Sequence, residues 1–372
     1  MADSVLTHFS ELPDPRSVRG RQHELSDILT IAICGVICGA ESWTEIEQFG
    51  GDKERWFRTF LKLPSGIPSH DTFGRVFAAL DPEAFEQCFK KWVQTLATRS
   101  GGKIIAVDGK TLRRSFKHAW NKTGVHLVSA FATANRLVLG QVATEVKSNE
   151  ITAIPKLLEL LDLQGATVTI DAMGCQKDIA RQIVGQGGDY ILAVKDNHPH
   201  LHAHVKALLD EAILDSFKGM EGDYFEETEG GHGRIEVRKV WCTPEVQWLK
   251  EKEDWAGLRS LAVVESHRKV LGRTSVERRY YISSRCGTDA RAMAGAIREH
   301  WGIENRVHWQ LDVSFNEDQC RVRTGHAAEN LSRLRRIALN LLKQEKSVKV
   351  GIKSKRLKAG WNPDYLLKVL QM

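Results

Sequence analysis

Residues 103–110 read KIIAVDGK, an apolar run closed by an acid, a glycine and a lysine. A short apolar run bounded this way predicts a buried strand over Lys103–Val107, with Asp108 at its end. The texture returns at 166–171, ATVTID, predicting a buried strand over Ala166–Ile170 that ends at Asp171. Between them, Val125–Thr133 and Leu137–Thr144 are rich in β-branched residues and flank a turn at Ala134–Asn135–Arg136. Ser148 is placed to cap a helix over Ile151–Leu161, with Glu150 in its first turn. A helix over Gln176–Ile183 and a strand over Tyr190–Val194 complete the series.

The order strand, strand, strand, helix, strand, helix, strand predicts an α/β domain. Three antiparallel strands followed by crossovers to parallel ones make a mixed sheet with helices on both faces. This is the strand order of a ribonuclease-H-like fold. Asp108 and Asp171 then fall at strand ends, where α/β sites form. From about 197 to 284 the pattern changes to a β-rich insertion, with strands expected at His232–Arg238, Val240–Trp241, Leu261–Val264 and Arg279–Ile282.

Upstream, residues 1–98 read as an all-helical N-terminal domain. Its helices are a nearly all-apolar Leu25–Ala40, then Trp43–Phe49, Glu54–Leu61, His70–Leu80 capped by Ser69, and Pro82–Ala97. A helix-turn-helix fits this spacing, although Arg75 is the only base on its second helix. Arg99–Gly102 reads as a linker to a catalytic domain over 99–345, and 346–372 as a basic C-terminal segment.

The stretch Arg298–Arg323 reads REHWGIENRVHWQLDVSFNEDQCRVR. A helix continuing to about Leu311 would align Ile297, Trp301, Glu304, His308 and Leu311 on one inward face. A carboxylate at the centre of such a face needs a cation, a metal or an arginine such as Arg298 or Arg306.

Composition narrows the function classes. The longest apolar run, Ile28–Ala40, is too short to span a bilayer, so no membrane association is expected. The N-terminus lacks a secretory pattern. The 7 cysteines form no pairing or zinc framework, which points to a reducing cytoplasm. Of the net charge of +6, residues 1–98 hold a balance of −4 and residues 321–360 a balance of +10. A C-terminal basic cluster of this kind is an electrostatic footprint for a polyanion such as DNA.

Asp108, Asp171 and Glu304 form the candidate catalytic set. Unit charges about 4 Å apart repel by roughly 4 kcal/mol at an effective dielectric near 20, so three crowded acids need a cation. Oxygen ligands suit Mg²⁺ or Mn²⁺, and two such ions suit in-line attack on phosphorus.

The motifs AVDGKTLRRS, EVKSNEITAIP, TIDAMGCQKDIA, GGDYILAVK, GHGRIEVR, RYYISS and HWGIENRVHWQLDVSFNED run in order along the chain. Together they resemble the bacterial insertion-sequence DDE transposases, in particular the H-repeat-associated proteins of Rhs elements. The resemblance implies that Asp108, Asp171 and Glu304 hold the metals, and that a helical N-terminal domain accompanies the catalytic one. It further implies binding to terminal inverted repeats, joining of 3′-hydroxyl ends to target DNA, and a homodimer when ends are paired. The wider superfamily flanks its Glu with a Tyr, an Arg and a Lys, where this chain has Ile297, His300 and Leu311. Candidate substitutes for that phosphate clamp, and for further DNA contacts, are Arg234, Arg238, Arg298, Arg306, His308, Lys353, Lys355 and Arg356. Trp241, Trp248, Trp255 and Trp301 are candidates to stack on a splayed base. The rival readings are a catalytically inactive DNA-binding protein derived from such an element and a standalone nuclease.

Overall fold

A computed structural model describes residues 5–19, 21–97, 104–115, 124–144, 150–231, 234–270 and 273–370. The expected linker at Arg99–Gly102 and the Ser148 cap lie outside them.

The N-terminal helices are α1 (Val5–His8), α2 (Leu25–Cys38), α3 (Trp43–Asp52), α4 (Glu54–Phe57), α5 (His70–Ala79) and α6 (Pro82–Ala97). The α2 helix is apolar nearly all round and is buried nearly all round. It stops at Gly39, whose φ of 118° is open only to glycine at low cost. Ser42 and Ser69 accept hydrogen bonds from the Glu45 and Thr72 N–H groups, fixing the starts of α3 and α5.

Strands β1 (Ile104–Thr111), β2 (His126–Ala132) and β3 (Leu137–Thr144) form an antiparallel meander. The helix α7 (Glu150–Glu159) leads to β4 (Thr167–Ile170), and α8 (Lys177–Gly185) leads to β5 (Asp189–Val194). Both crossovers return parallel strands, giving the ribonuclease-H-like order β3-β2-β1-β4-β5. Asp108 lies inside β1 rather than past its end. Its pairing with β4 stops at Val107, while pairing with β2 runs on through Thr111. One side of Asp108 therefore faces the gap left where β4 ends.

The insertion begins with a helix the sequence reading missed, α9 (Pro199–Leu214), followed by β6 (Asp223–Gly231), β7 (Arg234–Thr243), β8 (Ser260–Val270) and β9 (Arg273–Ser283). It extends the main sheet, because β9 pairs with β5, and all nine strands are continuous. Residues of α9 cover one face of its near end, and those of α10 (Ala290–His300) cover the other. The far tips, around Glu229–Gly231 and Arg273–Val276, are exposed on both faces.

The final helices are α11 (Trp309–Phe315), α12 (Ala327–Gln344), α13 (Ile352–Trp361) and α14 (Pro363–Leu370). They share one apolar core with α2, α5, α6 and the sheet residues Ala106, Phe131 and Val138. This packing corrects the reading of the basic cluster as an open footprint. Arg333, Arg335 and Arg336 on α12 are buried, with Arg333 bound to Glu86 at 2.6 Å and Arg336 to Glu317 at 3.3 Å. Lys355 and Arg356 are buried too and are corrected as DNA contacts. The Lys355 Nζ donates to the Leu342 carbonyl at 2.8 Å. The Arg356 guanidinium donates to the Val36 carbonyl at 2.9 Å and lies 4.2 Å from the Phe315 ring centroid. Their donors join helix ends to one another, and Lys353 alone of the three faces solvent. No single helix among the described residues is long and apolar enough to cross a membrane.

Candidate active site

Asp108 and Asp171 come together because β1 and β4 are parallel neighbours in register, Val107 beside Ile170. Directly after β4, the Asp171 Oδ1 accepts the Met173 and Gly174 N–H groups at 3.1 and 3.4 Å, which fixes that carboxylate on a tight turn. A side chain at Gly174 would meet Ile170, so the turn closes only with glycine there. Asp108 accepts its neighbour's N–H, from Gly109, at 2.9 Å.

Glu304 arrives differently from the expected straight helix. The α10 helix ends at His300, and residues Glu304–His308 form a wide π turn, with the Trp309 N–H bonded to the Glu304 carbonyl. The inward stripe is Ile303, Val307, Leu311 and Phe315, all buried. Its every-fourth spacing suits the wider turn and was the available signal. Trp301 and Glu304 are consequently exposed rather than inward. Arg298 and Arg306 do not satisfy the Glu304 carboxylate. Its partner is the buried His308, whose Nδ1 lies 3.0 Å from Glu304 Oε2 and 3.6 Å from Asp108 Oδ2.

Asp108 is pushed up to about 6, first by burial and further by Asp171 and Glu304, against the opposing pull of His308 and the Gly109 N–H. Glu304 is lowered, chiefly by its hydrogen bond from His308. Ligand atoms of Asp108, Glu304 and His308 lie within 4.8 Å of one another, a spacing that one cation can bridge. The His308 Nε2 is buried with no hydrogen-bond partner among the described residues. Two or three carboxylates with one imidazole fit a divalent cation. All three acids also line one cavity of about 200 Å³.

The profile of the Transposase DDE domain matches residues 99–341, and the DDE_Tnp_1-associated profile matches residues 6–93. The chain belongs to the DDE transposase family. It is 45% identical over 371 residues to "Putative transposase YncI" of Escherichia coli O157:H7, covering 99% of this chain and 94% of that protein. It is 42% identical to "H repeat-associated putative transposase YhhI" of Escherichia coli K12, covering 98% of this chain and 97% of that one. A shorter relative, "Inactive transposase YbfQ" of the same strain, is 43% identical over 72 residues, which is 19% of this chain and 86% of that protein.

In this chain the superfamily clamp positions are recast. Ile297 and Leu311 are packed in apolar cores. His300 lines the acid cavity, and its Nδ1 lies 3.1 Å from Thr169 Oγ1. Of the proposed substitutes, Arg238 is held by Glu227, Glu229 and Glu236 at 2.5, 3.0 and 3.1 Å. Arg234 pairs with Glu236 at 3.4 Å, Arg298 with Glu229, and Arg306 with Glu299 at 3.1 Å. His308 faces the acids themselves. Among the candidate tryptophans, Trp255 is buried, Trp241 packs on Tyr224, and Trp248 stands exposed. Trp301 alone of the four lines the cavity. Two basic residues there were missed: Lys195, just after the GGDYILAV strand, and Arg279, which opens RYYISS.

Proposed function

We propose that this chain binds the terminal inverted repeats of its element, cuts DNA there with divalent metal ions, and joins the 3′-hydroxyl ends to target DNA. The observation that carries this reading is the convergence of Asp108, Asp171 and Glu304 on one cavity, with Asp108 left short of compensating charge. Asp108, Asp171 and Glu304 would hold two Mg²⁺ or Mn²⁺ ions, with His308 beside them. The ions supply Lewis acidity for in-line displacement at phosphorus. The chain's own part is positional. The Met173 and Gly174 N–H groups hold Asp171, His308 holds Glu304, and the apolar stripe from Ile303 to Phe315 anchors the π turn.

Arg234, Arg298, Arg306 and Lys353 are the proposed backbone contacts. Arg298 and Arg306 sit in surface ion pairs, each worth only about 0–1 kcal/mol, so a phosphate can displace the carboxylate, and Arg234 is itself exposed beside the buried Glu236. Pairing two ends calls for two copies of the chain.

The test is cleavage of a supercoiled plasmid carrying the flanking inverted repeats, in Mg²⁺, Mn²⁺ or EDTA, beside Glu304→Gln. Metal-dependent cuts at the repeat ends that vanish in the variant, followed by strand-transfer products, are expected. Cutting without joining would leave a nuclease. Binding without cutting in any metal would leave the non-catalytic DNA binder.

A further inference from the structure

We propose that Arg279 holds the phosphodiester to be cut, from a wall of the acid cavity contributed by the insertion. This rests on the DNA-cutting reading above. The antiparallel register that pairs Val194 with Tyr280 brings the next residues, Lys195 and Arg279, side by side. Both line the cavity that holds Asp108, Asp171 and Glu304. The Arg279 guanidinium is fixed at its edge and its face. Glu277 accepts from Nε at 2.8 Å and Nη2 at 3.1 Å, and the guanidinium carbon lies 4.7 Å from the Trp301 ring centroid. A guanidinium has five N–H donors, and this pairing takes two. Lys195 lies close enough to act on Glu277 as well, so the two bases outnumber the acid.

Position makes this pair unlike the other ion pairs on the insertion. Arg279, Tyr281, Ile297 and Trp301 form the wall shared by the acid cavity and a groove of about 480 Å³ on the insertion. Arg234, Arg238, Arg268 and Arg298 lie along that groove. A strand whose phosphate sits at the acids would run past Arg279 into it. Trp301, 46% exposed, offers a ring face to a base at the turn. A planar fork held in place by Glu277 and Trp301 suits two oxygens of one phosphate. The superfamily's own clamp positions do not offer such a fork, because Ile297 and Leu311 are committed to packing and His300 is an imidazole bonded to Thr169.

The test measures binding, in Ca²⁺, of a duplex ending in the element's terminal repeat. The natural diester is compared with one neutral methylphosphonate at the outer boundary of the repeat, for wild type, Arg279→Ala and Arg279→Lys, with folding checked by thermal melting. Neutralising that phosphate should weaken the wild type by about tenfold or more. Arg279→Ala should bind the natural duplex worse and lose most of the discrimination against the methylphosphonate, keeping only the share that Ca²⁺ at the acids makes. Arg279→Lys, a point charge without the fork, should retain part of the discrimination and decides the matter if the alanine variant misfolds. Undiminished discrimination in either variant overturns the proposal while leaving the transposase reading intact. So does a wild type that binds both duplexes alike. A wild type that binds neither overturns both.

Discussion

Asp108 and Lys110 sit two residues apart on β1, and the protein treats their charges in opposite ways. Lys110 points into a closed network. Its Nζ lies 3.2 Å from Glu317 and 3.8 Å from Asp318, with Asp312 closer still. Burial alone would raise Glu317, yet Arg336, Lys110, Arg335 and Ser332 together bring it down to about 2. Burial pulls Arg336 below its ordinary value although Glu317 opposes it, and its charge persists because a guanidinium holds its proton so strongly. Around Asp108 the balance is reversed. Burial and two further acids raise it, and one histidine is the nearby counterweight. Around Glu317 the bases outnumber the acid, whereas around Asp108 the acids outnumber the one histidine in reach, and Lys195 and Arg279 stand on another wall of the cavity.

The largest expected effect separates the two regions directly. Asp108→Asn should reduce cleavage about a thousandfold or more while leaving the unfolding midpoint unchanged or higher. The reason is one of sign. The folded value of about 6 lies above the ordinary 3.8, so ionising Asp108 costs stability. That cost is absent below pH 3.8 and complete above about 6. A variant that unfolds instead would show Asp108 to be structural.

Next in size, Glu317→Gln leaves Lys110, Arg335 and Arg336 short of a buried counter-charge and should cost roughly 3–5 kcal/mol in chemical denaturation. In the unaltered protein, the depressed Glu317 contributes stability that is full above the ordinary 4.5 and is lost as pH falls through about 2. Acid titration of the variant should lack that component. A variant as stable as the wild type would break the contrast.

His308→Asn should weaken Mn²⁺ binding on the order of tenfold to a hundredfold, read by calorimetry or Mn²⁺ resonance without DNA. Unchanged affinity would reduce His308 to a core residue.

The smallest effect concerns the basic C-terminus. Alanine at the exposed Lys349 and Lys353 should flatten the slope of log K against log salt by about 2 units at most. Alanine at the buried Lys355 and Arg356 should instead lower stability and leave the slope alone. The reverse outcome would restore the footprint reading.

How much was legible can be followed through particular residues. Ala166–Ile170 and Leu137–Thr144 were readable as strands because apolar and β-branched runs bounded by turns carry their signal locally. The missed α9 was legible too, since Pro199 stands at its start and Leu201, Val205, Leu209 and Ala212 recur at helical spacing. Asp108 and Asp171 were legible as acids next to strands. The extension of β1 past Asp108 was not, because it depends on pairing with β2, a non-local contact.

The sequence by itself determined the ribonuclease-H-like strand order and the family, and it put forward the three acids now proposed as the site, since each is written in short patterns that depend on near neighbours. Tertiary structure alone decided which charges face water. Arg333, Arg336, Lys355 and Arg356 read as a basic surface in the chain, yet they are interior because their partners Glu86, Glu317 and the Val36 and Leu342 carbonyls arrive from elsewhere. The same holds for Arg279 and Trp301 at the acid cavity, which meet across the packing of β9 against the end of α10. Burial and ion pairing are properties of distant segments brought together, and a linear pattern does not contain them.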